Sequence, residues 1–273
     1  MKVLHVIPSF YPAIYWGGPV YSAYGLCRAL ARSHEIELRV LTTDSAGPSI
    51  SERIDMESFP TRFSEGFEVY YCRRLWAADV SPSLFLRLWS MIRWADLVHL
   101  TAVYSPPTIP TLLLCKLLGK PVVWSPRGGL QRWKGATRRL EKKIWEGVCN
   151  ALCVSHQTML HVTSEEELKD SCSRITRAKA VVISNGVDIP GNFAARERQP
   201  DGKLHLLFLG RLHPIKGIPN LLYAMQDLDD NVTLTICGTG DSDHRRSLEL
   251  LVAQLDLADS VQFLGQVSGE AKS

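Results

Sequence analysis

Short β-branched runs alternate along the chain with stretches whose apolar residues recur at helical spacing, the pattern of a parallel sheet covered by helices. Residues 2–7 read as a strand, and Val20, Ala23, Tyr24, Cys27, Leu30 and Ala31 mark one face of a helix over 19–33. The pattern then predicts strands over 36–42, 67–72, 96–100, 121–125, 158–163 and 180–184, with helices over 83–94, 109–118 and 136–150. Gly119 supplies a helix stop. Ser164-Glu165-Glu166-Glu167 predicts a capping box, in which Ser164 takes the Glu167 N–H and the Glu167 carboxylate reaches back. Residues 45–63, rich in Pro, Ser and Gly and without period, predict a long surface loop.

Residues 188–202 carry Pro190, Gly191, Pro200 and Gly202 among mixed charges, as an interdomain linker does. The alternation then restarts, with strands over 204–209, 232–237 and 261–264 and helices over 217–228 and 244–255. An α/β chain of two Rossmann-like domains follows, 1–187 and 203–273, each with a parallel sheet. The second is incomplete by the measure of a usual doubly wound sheet, and apolar strands such as 232–237 are expected to lack neighbours.

A length of 273 residues is enough for two cores, and a composition 45% hydrophobic and 22% charged excludes a disordered or fibrous chain. A net charge of +3 makes no case for nucleic acid. The seven cysteines lie mostly in apolar segments. Cys149 and Cys153 are four apart, but no second pair completes a zinc set, so they read as small core residues in a reducing cytosol. The first apolar run is too short for a signal peptide, and the most apolar stretch is interrupted by Pro106, Pro107, Pro110 and Lys116. A cytoplasmic chain without a membrane span is expected.

Three turns carry candidate chemistry. Trp16-Gly17-Gly18-Pro19 follows the first strand and runs into a helix, where glycines admit close approach and unpaired amides attract phosphate; a plain tight turn is the alternative. Gly210-Arg211-Leu212-His213-Pro214-Ile215-Lys216-Gly217 places two cations at a strand-to-helix turn. Cations oppose the dipole at a helix start unless an anion sits there, so Arg211 and Lys216 point to a diphosphate rather than to chance surface charge. Cys237-Gly238-Thr239-Gly240-Asp241 lacks the third glycine of the dinucleotide fingerprint, which argues against NAD, and Asp241 reads as a helix cap rather than a metal ligand. Asn185-Gly186 is by itself a turn.

Taken in order, Gly17-Gly18, Ser184-Asn185-Gly186-Val187-Asp188, Gly210-Arg211-Leu212 with Lys216-Gly217, Gly238-Thr239-Gly240 and Val261-Gln262-Phe263-Leu264-Gly265 resemble the retaining GT-B glycosyltransferases called family 4 or group 1. The resemblance runs along nearly the whole chain. It implies transfer of a sugar from a nucleoside-diphosphate donor, with no cofactor and no dedicated metal, in a cleft between an acceptor-side and a donor-side domain. Donor contacts would come from Gly17, Gly18, Asn185, Arg211, Lys216, Gly238 and Gly240. Arg127, in Ser125-Pro126-Arg127-Gly128-Gly129, stands where many members carry a histidine near the transferred sugar; a guanidinium stays protonated and is no general base. Relatives continue into a Glu-x7-Glu segment that contacts the donor, and this sequence stops before it. A non-catalytic fragment or binding module, and a sugar epimerase of the same fold, are the alternatives.

Between Arg127 and Lys143 there are seven basic residues and one acid, Glu141, with Trp133 and Trp145 interleaved. The cluster suits an anionic membrane surface presenting a lipid-linked acceptor, with the tryptophans at headgroup level. It equally suits a solvated helix in which Leu140, Ile144 and Val148 pack inward.

Overall fold

The computed structural model describes residues 1–56, 58–75, 80–132, 138–187, 202–228 and 231–267. The chain divides into two compact units, Met1–Ile189 and Pro190–Ser273. The predicted linker, Gly202 apart, lies outside the described residues, as do Trp133, Lys134 and the first two residues of the helix predicted over 136–150.

In the first unit the elements run β1 (Lys2–Ser9), α1 (Gly18–Ala31), β2 (Glu37–Thr43), β3 (Thr61–Arg62), β4 (Glu68–Cys72), α2 (Pro82–Trp94), β5 (Leu97–Thr101), α3 (Thr108–Leu118), β6 (Val122–Ser125), α4 (Arg139–Leu152), β7 (Thr158–Val162), α5 (Glu165–Arg174) and β8 (Lys179–Val182). They form an eight-stranded sheet in the order β3-β4-β2-β1-β5-β6-β7-β8, parallel except for the β3–β4 pair. Strand alternation feeds two cores. Val3 and Ile7 face Ala23 and Cys27 of α1, while Leu4 and Val6 face Leu88, Leu112 and Cys149 of α2, α3 and α4.

Local signals act where they were read. Gly119 ends α3 in the left-handed conformation, φ +64. Ser164 accepts the Glu167 N–H at 3.2 Å. The reciprocal half of the capping box does not form: Glu167 instead accepts from the Thr163 amide and hydroxyl, each at 2.8 Å, and from the Gly128 amide at 2.5 Å. The loop 45–63 is also less free than its composition suggests. Buried Arg74 donates to Ser45 Oγ and to the Gly47, Ser49 and Glu52 carbonyls, so the loop is wrapped around a guanidinium and contains β3.

The second unit contains β9 (Leu204–Leu209), α6 (Ile218–Gln226), β10 (Val232–Cys237), α7 (Ser242–Gln254) and β11 (Val261–Gly265). The sheet order is β11-β10-β9, all parallel. The expectation that 232–237 lacks neighbours is therefore wrong: β10 is the central strand, paired on both sides. Each crossover moves one strand in the same direction, so right-handed connections put both helices on one face. Ile218, Leu222, Leu248 and Val252 pack there against Leu234 and Ile236, while Leu207, Leu209 and Leu264 are exposed.

Candidate active site

In an open parallel sheet a crevice forms at the carboxyl ends of two neighbouring strands whose following helices go to opposite faces. Here those strands are β1 and β5, since α1 contributes to one core and α3 to the other. A pocket of about 310 Å³ opens at that point, lined by Pro8 and Ser9 of β1, by Trp16, Pro19 and Val20 at the turn into α1, and by Thr101 and Ala102.

Gly17 builds the turn with φ 71 and ψ −140, a conformation that side chains avoid. A Cβ on Gly17 or Gly18 would meet nothing within 4 Å, so the backbone requires Gly17 and the space above both glycines is open. No side chain caps α1, which leaves its start with partial positive charge. Trp16 Nε1 is buried and has no hydrogen-bond partner among the described residues. Ala102, beyond β5, holds φ 81, fixed by its N–H on the Ser125 carbonyl at 3.1 Å and by Trp124 Nε1 on its own carbonyl at 2.8 Å. Strained backbone of this kind persists only where its surroundings over-determine it.

Farther along the same edge, Arg127 follows β6 in a left-handed conformation, φ 53, and its Nη1 donates to Asn185 Oδ1. The structure thus joins two residues singled out separately in the sequence. Arg127 Nε is buried without a hydrogen-bond partner among the described residues. Desolvation draws its guanidinium down from the ordinary value, opposed by the Glu167 charge.

A row of polar groups crosses the sheet beneath this edge, and sequence reasoning passed over it because a histidine in an apolar strand reads as core. His161 Nε2 lies 3.0 Å from the Ile183 carbonyl, which can only accept. His161 Nδ1 must then take the Ser125 hydroxyl proton at 3.0 Å, and Ser125 Oγ takes the N–H of His99 Nε2 at 2.8 Å. The His5 ring lies against that of His99, tilted by 37° with ring centroids 4.4 Å apart, and contacts Thr101 Oγ1 at 2.9 Å. Burial, then Arg127, pushes His5 down to about 3. The row includes Ser125 and the Ile183 carbonyl, two residues before Arg127 and Asn185 respectively. Its signal in the sequence is a histidine inside three strands of the first unit, His5, His99 and His161.

A second pocket of about 430 Å³ shares Tyr104, Ser105 and Pro106 with the first, and its other wall is Arg138, Glu141, Lys142 and Trp145 at the start of α4. Buried Glu146 fixes α4 here, accepting from Arg132 Nη2 at 2.6 Å and from the Tyr104 hydroxyl. Trp145 Nε1 donates to the Val103 carbonyl at 2.8 Å. The inward packing of Leu140, Ile144 and Val148 is therefore overturned: they are 72%, 62% and 42% exposed, because the polar anchors of Glu146 and Trp145 turn the opposite side of α4 to the core.

In the second unit, Arg211 is exposed just after β9, and Lys216 ends a single 3-10 turn, Pro214–Lys216, before Gly217 opens α6 at φ 65. His213 caps that turn through the Ile215 N–H. A Cβ on Gly238 would come within 1.9 Å of the Gly210 carbonyl oxygen, and one on Gly240 within 2.1 Å of that of Leu212. These glycines are required by the contact of the two loops, sealed by Gly210 N–H to Cys237 and Leu212 N–H to Thr239. Asp241 caps α7, accepting from the amides of Asp243 and His244.

Glycosyltransferase Family 4 matches residues 16–189, and Glycosyl transferases group 1 matches residues 192–273. A GDP-mannose:cellobiosyl-diphosphopolyprenol alpha-mannosyltransferase of Xanthomonas campestris is 26% identical over 271 residues, covering 96% of this chain and 67% of the relative. Among solved structures, Anabaena HepE in complex with UDP has a TM-score of 0.66 at 16% identity, covering 98% of this chain and 70% of that one. Sucrose-phosphate synthase from Thermosynechococcus elongatus has a TM-score of 0.67 at 16% identity, covering 98% and 71%. At such identities the structures bear on the fold, which is GT-B. With both units matched in chain order, and the crevice of the first framed by a glycine turn and an uncapped helix, this chain belongs to the family 4, group 1 glycosyltransferases.

Proposed function

We propose that the chain transfers a glycosyl group from a nucleoside-diphosphate sugar to a glycan or lipid-linked acceptor, with retention of anomeric configuration, on the cytoplasmic side of a membrane. The observation that carries this reading is the switch-point pocket, where the Gly17–Gly18 turn and the uncapped start of α1 stand open. Gly17, Gly18 and Asn185 of the first unit are assigned to the donor, as are Arg211 and Lys216 of the second. Gly238 and Gly240 are assigned to it through their backbone, their lack of side chains being already accounted for by loop packing. In the reaction the bond from the anomeric carbon to the diphosphate breaks and one to the acceptor oxygen forms on the same face. The departing diphosphate takes the acceptor proton, while guanidinium, ammonium and helix amides spread its charge, so the reading uses no metal. Arg127 acts as a fixed positive charge and donor beside the reacting groups.

The name of the Xanthomonas relative, with its diphosphopolyprenol acceptor, supports a lipid-linked acceptor here. The UDP complex of HepE supports a nucleoside diphosphate as the donor's leaving group. Calorimetry with UDP, GDP and ADP tests the donor assignment. Arg211→Ala should weaken the nucleotide that binds by about 1.5–3 kcal/mol, the range of a hydrogen bond to a charged group. Unchanged affinity in that variant would remove Arg211 from the site.

A further inference from the structure

Three glutamates open α5, and they do different things. Glu165 and Glu166 are exposed, whereas Glu167 is buried with both carboxylate oxygens in hydrogen bonds. A buried carboxylate is costly unless its oxygens are satisfied, and these are satisfied outside the helix. The cap of α5 does not need the carboxylate, since Ser164 takes the Glu167 N–H. Oε2 instead fastens Thr163, just past β7, and Oε1 accepts from Gly128, 39 residues away in the turn after β6. That turn is tight and strained: Arg127 and Gly128 have φ of 53 and 76, and a Cβ on Gly129 would lie 3.0 Å from the Pro126 carbonyl oxygen. A non-glycine residue keeps such a conformation only where its surroundings over-determine it. Burial also works against the charge of the Arg127 guanidinium, and the Glu167 carboxylate opposes that effect. On the other side of β7, the Val162 carbonyl accepts the Ile183 N–H and His161 Nε2 donates to the Ile183 carbonyl, two residues before Asn185. β7 lies between β6 and β8, so its end ties both turns, and the hydrogen bond from Arg127 to Asn185 closes the bridge across it.

We propose that Glu167 is a positioning residue: through the Gly128 amide it fixes the turn that presents the Arg127 guanidinium, and through Thr163 it ties that turn to the strand that also holds Asn185. It acts on the reaction only through Arg127, and to that extent the inference rests on the proposed glycosyl transfer. A glutamine does not substitute for it. The carboxylate takes three hydrogen bonds on two oxygens, whereas a carboxamide has one oxygen and sets its own NH2 against either Gly128 or Thr163. Glu167→Gln therefore releases one end of the tie while the Ser164 cap of α5 stays in place. Glu166, exposed on the same helical turn, provides the matched loss of one negative charge. A guanidinium in a displaced turn keeps its charge and loses its place, so the rate of the chemical step falls while the hold on the nucleotide does not.

Two readouts on the intact chain separate this role from a plain loss of stability. With arginine labelled by nitrogen-15, the Arg127 Nε–Hε signal, identified by its absence in Arg127→Lys, should be resolved and slow to exchange, because that nitrogen is buried. Glu167→Gln should shift the signal and speed its exchange with circular dichroism unchanged, and Glu166→Gln should match the parent. Turnover is followed with UDP-glucose, GDP-mannose and ADP-glucose, water serving as acceptor. Glu167→Gln should lower kcat by about tenfold to a hundredfold, the scale of a misplacement near 1 Å, with KM for the nucleotide sugar within about twofold of the parent. Thr163→Val removes one donor to the same carboxylate and keeps the side-chain shape, so it should give the same changes in weaker form, and it decides the matter if Glu167→Gln does not fold. An Arg127 signal unaltered in both variants, or a fall in kcat that Glu166→Gln shares, would overturn the proposal. A parent inactive with all three donors would count against the proposed transfer, and the arginine signal, which needs no donor, would still decide whether Glu167 places Arg127.

Discussion

At the scale of single residues, the histidine row makes stability depend on pH in a way that its buried chemistry dictates. His5 and His99 lie below the ordinary histidine value chiefly because burial penalises the imidazolium, and His161 is lowered for the same reason. In the unfolded chain each takes a proton near pH 6.5. Below that pH the unfolded state therefore binds more protons than the folded one. Stability is full above about pH 6.5 and declines as pH falls towards about 3, where His5 itself titrates. Each fully linked histidine contributes a slope of about 1.4 kcal/mol per pH unit. Urea unfolding between about pH 7.5 and about pH 5, where most carboxylates are still ionised, should show the decline. His5→Gln should lower the slope by about one proton. A flat profile over that range would mean that these imidazoles are not buried neutral.

Elements take their orientation from a few polar anchors that outweigh apolar pattern, and α4 is the clearest case. A helix with Leu140, Ile144 and Val148 in a row ought by area alone to turn them inward. The buried Glu146 carboxylate prevents it, since its charge is satisfied only with Arg132, the Tyr104 hydroxyl and, at 3.9 Å, Arg174 Nε around it. Leaving those groups unpaired would cost several kcal/mol. Glu146→Ala should accordingly destabilise the first unit by about 3–5 kcal/mol, the range for breaking a buried pair from one side. A midpoint of urea unfolding within experimental error of the parent would contradict the anchoring role. In the second unit the same scale of effect is seen in Gly238 and Gly240, where two loops meet backbone to backbone and no side chain fits.

For the molecule as a whole, the division at Ile189 and Pro190 separates an eight-stranded unit from a three-stranded one. A sheet with helices on only one face leaves Leu207, Leu209 and Leu264 in water, so the smaller unit buries less of what its chain exposes. Limited proteolysis is expected to cut first between about residues 188 and 202, the Pro- and Gly-containing stretch, and to leave a resistant first unit. Mass spectrometry of the fragments identifies the cut. Equal resistance of both units would show that three strands and two helices hold together as well as the larger sheet.

Periodicity, turn residues and motif order were enough for the α/β class, nearly every strand and helix, the family, and the loops that hold Gly17, Arg127, Asn185, Arg211 and Lys216. These are local properties: a helical or strand repeat, a glycine with positive φ and a capping serine act over a few residues and survive in any context that buries the right side. Partners distant in sequence were not legible. That Arg127 meets Asn185, that Glu167 turns from its own helix cap to Gly128, and that the His5 and His99 rings meet required the parallel register of β1, β5, β6, β7 and β8. The neighbours of β10 were misread, and the outward side of α4 was left open between two readings, for one physical reason. Amphipathic pattern states which residues prefer burial, whereas strand pairing and buried charge decide which of them obtain it.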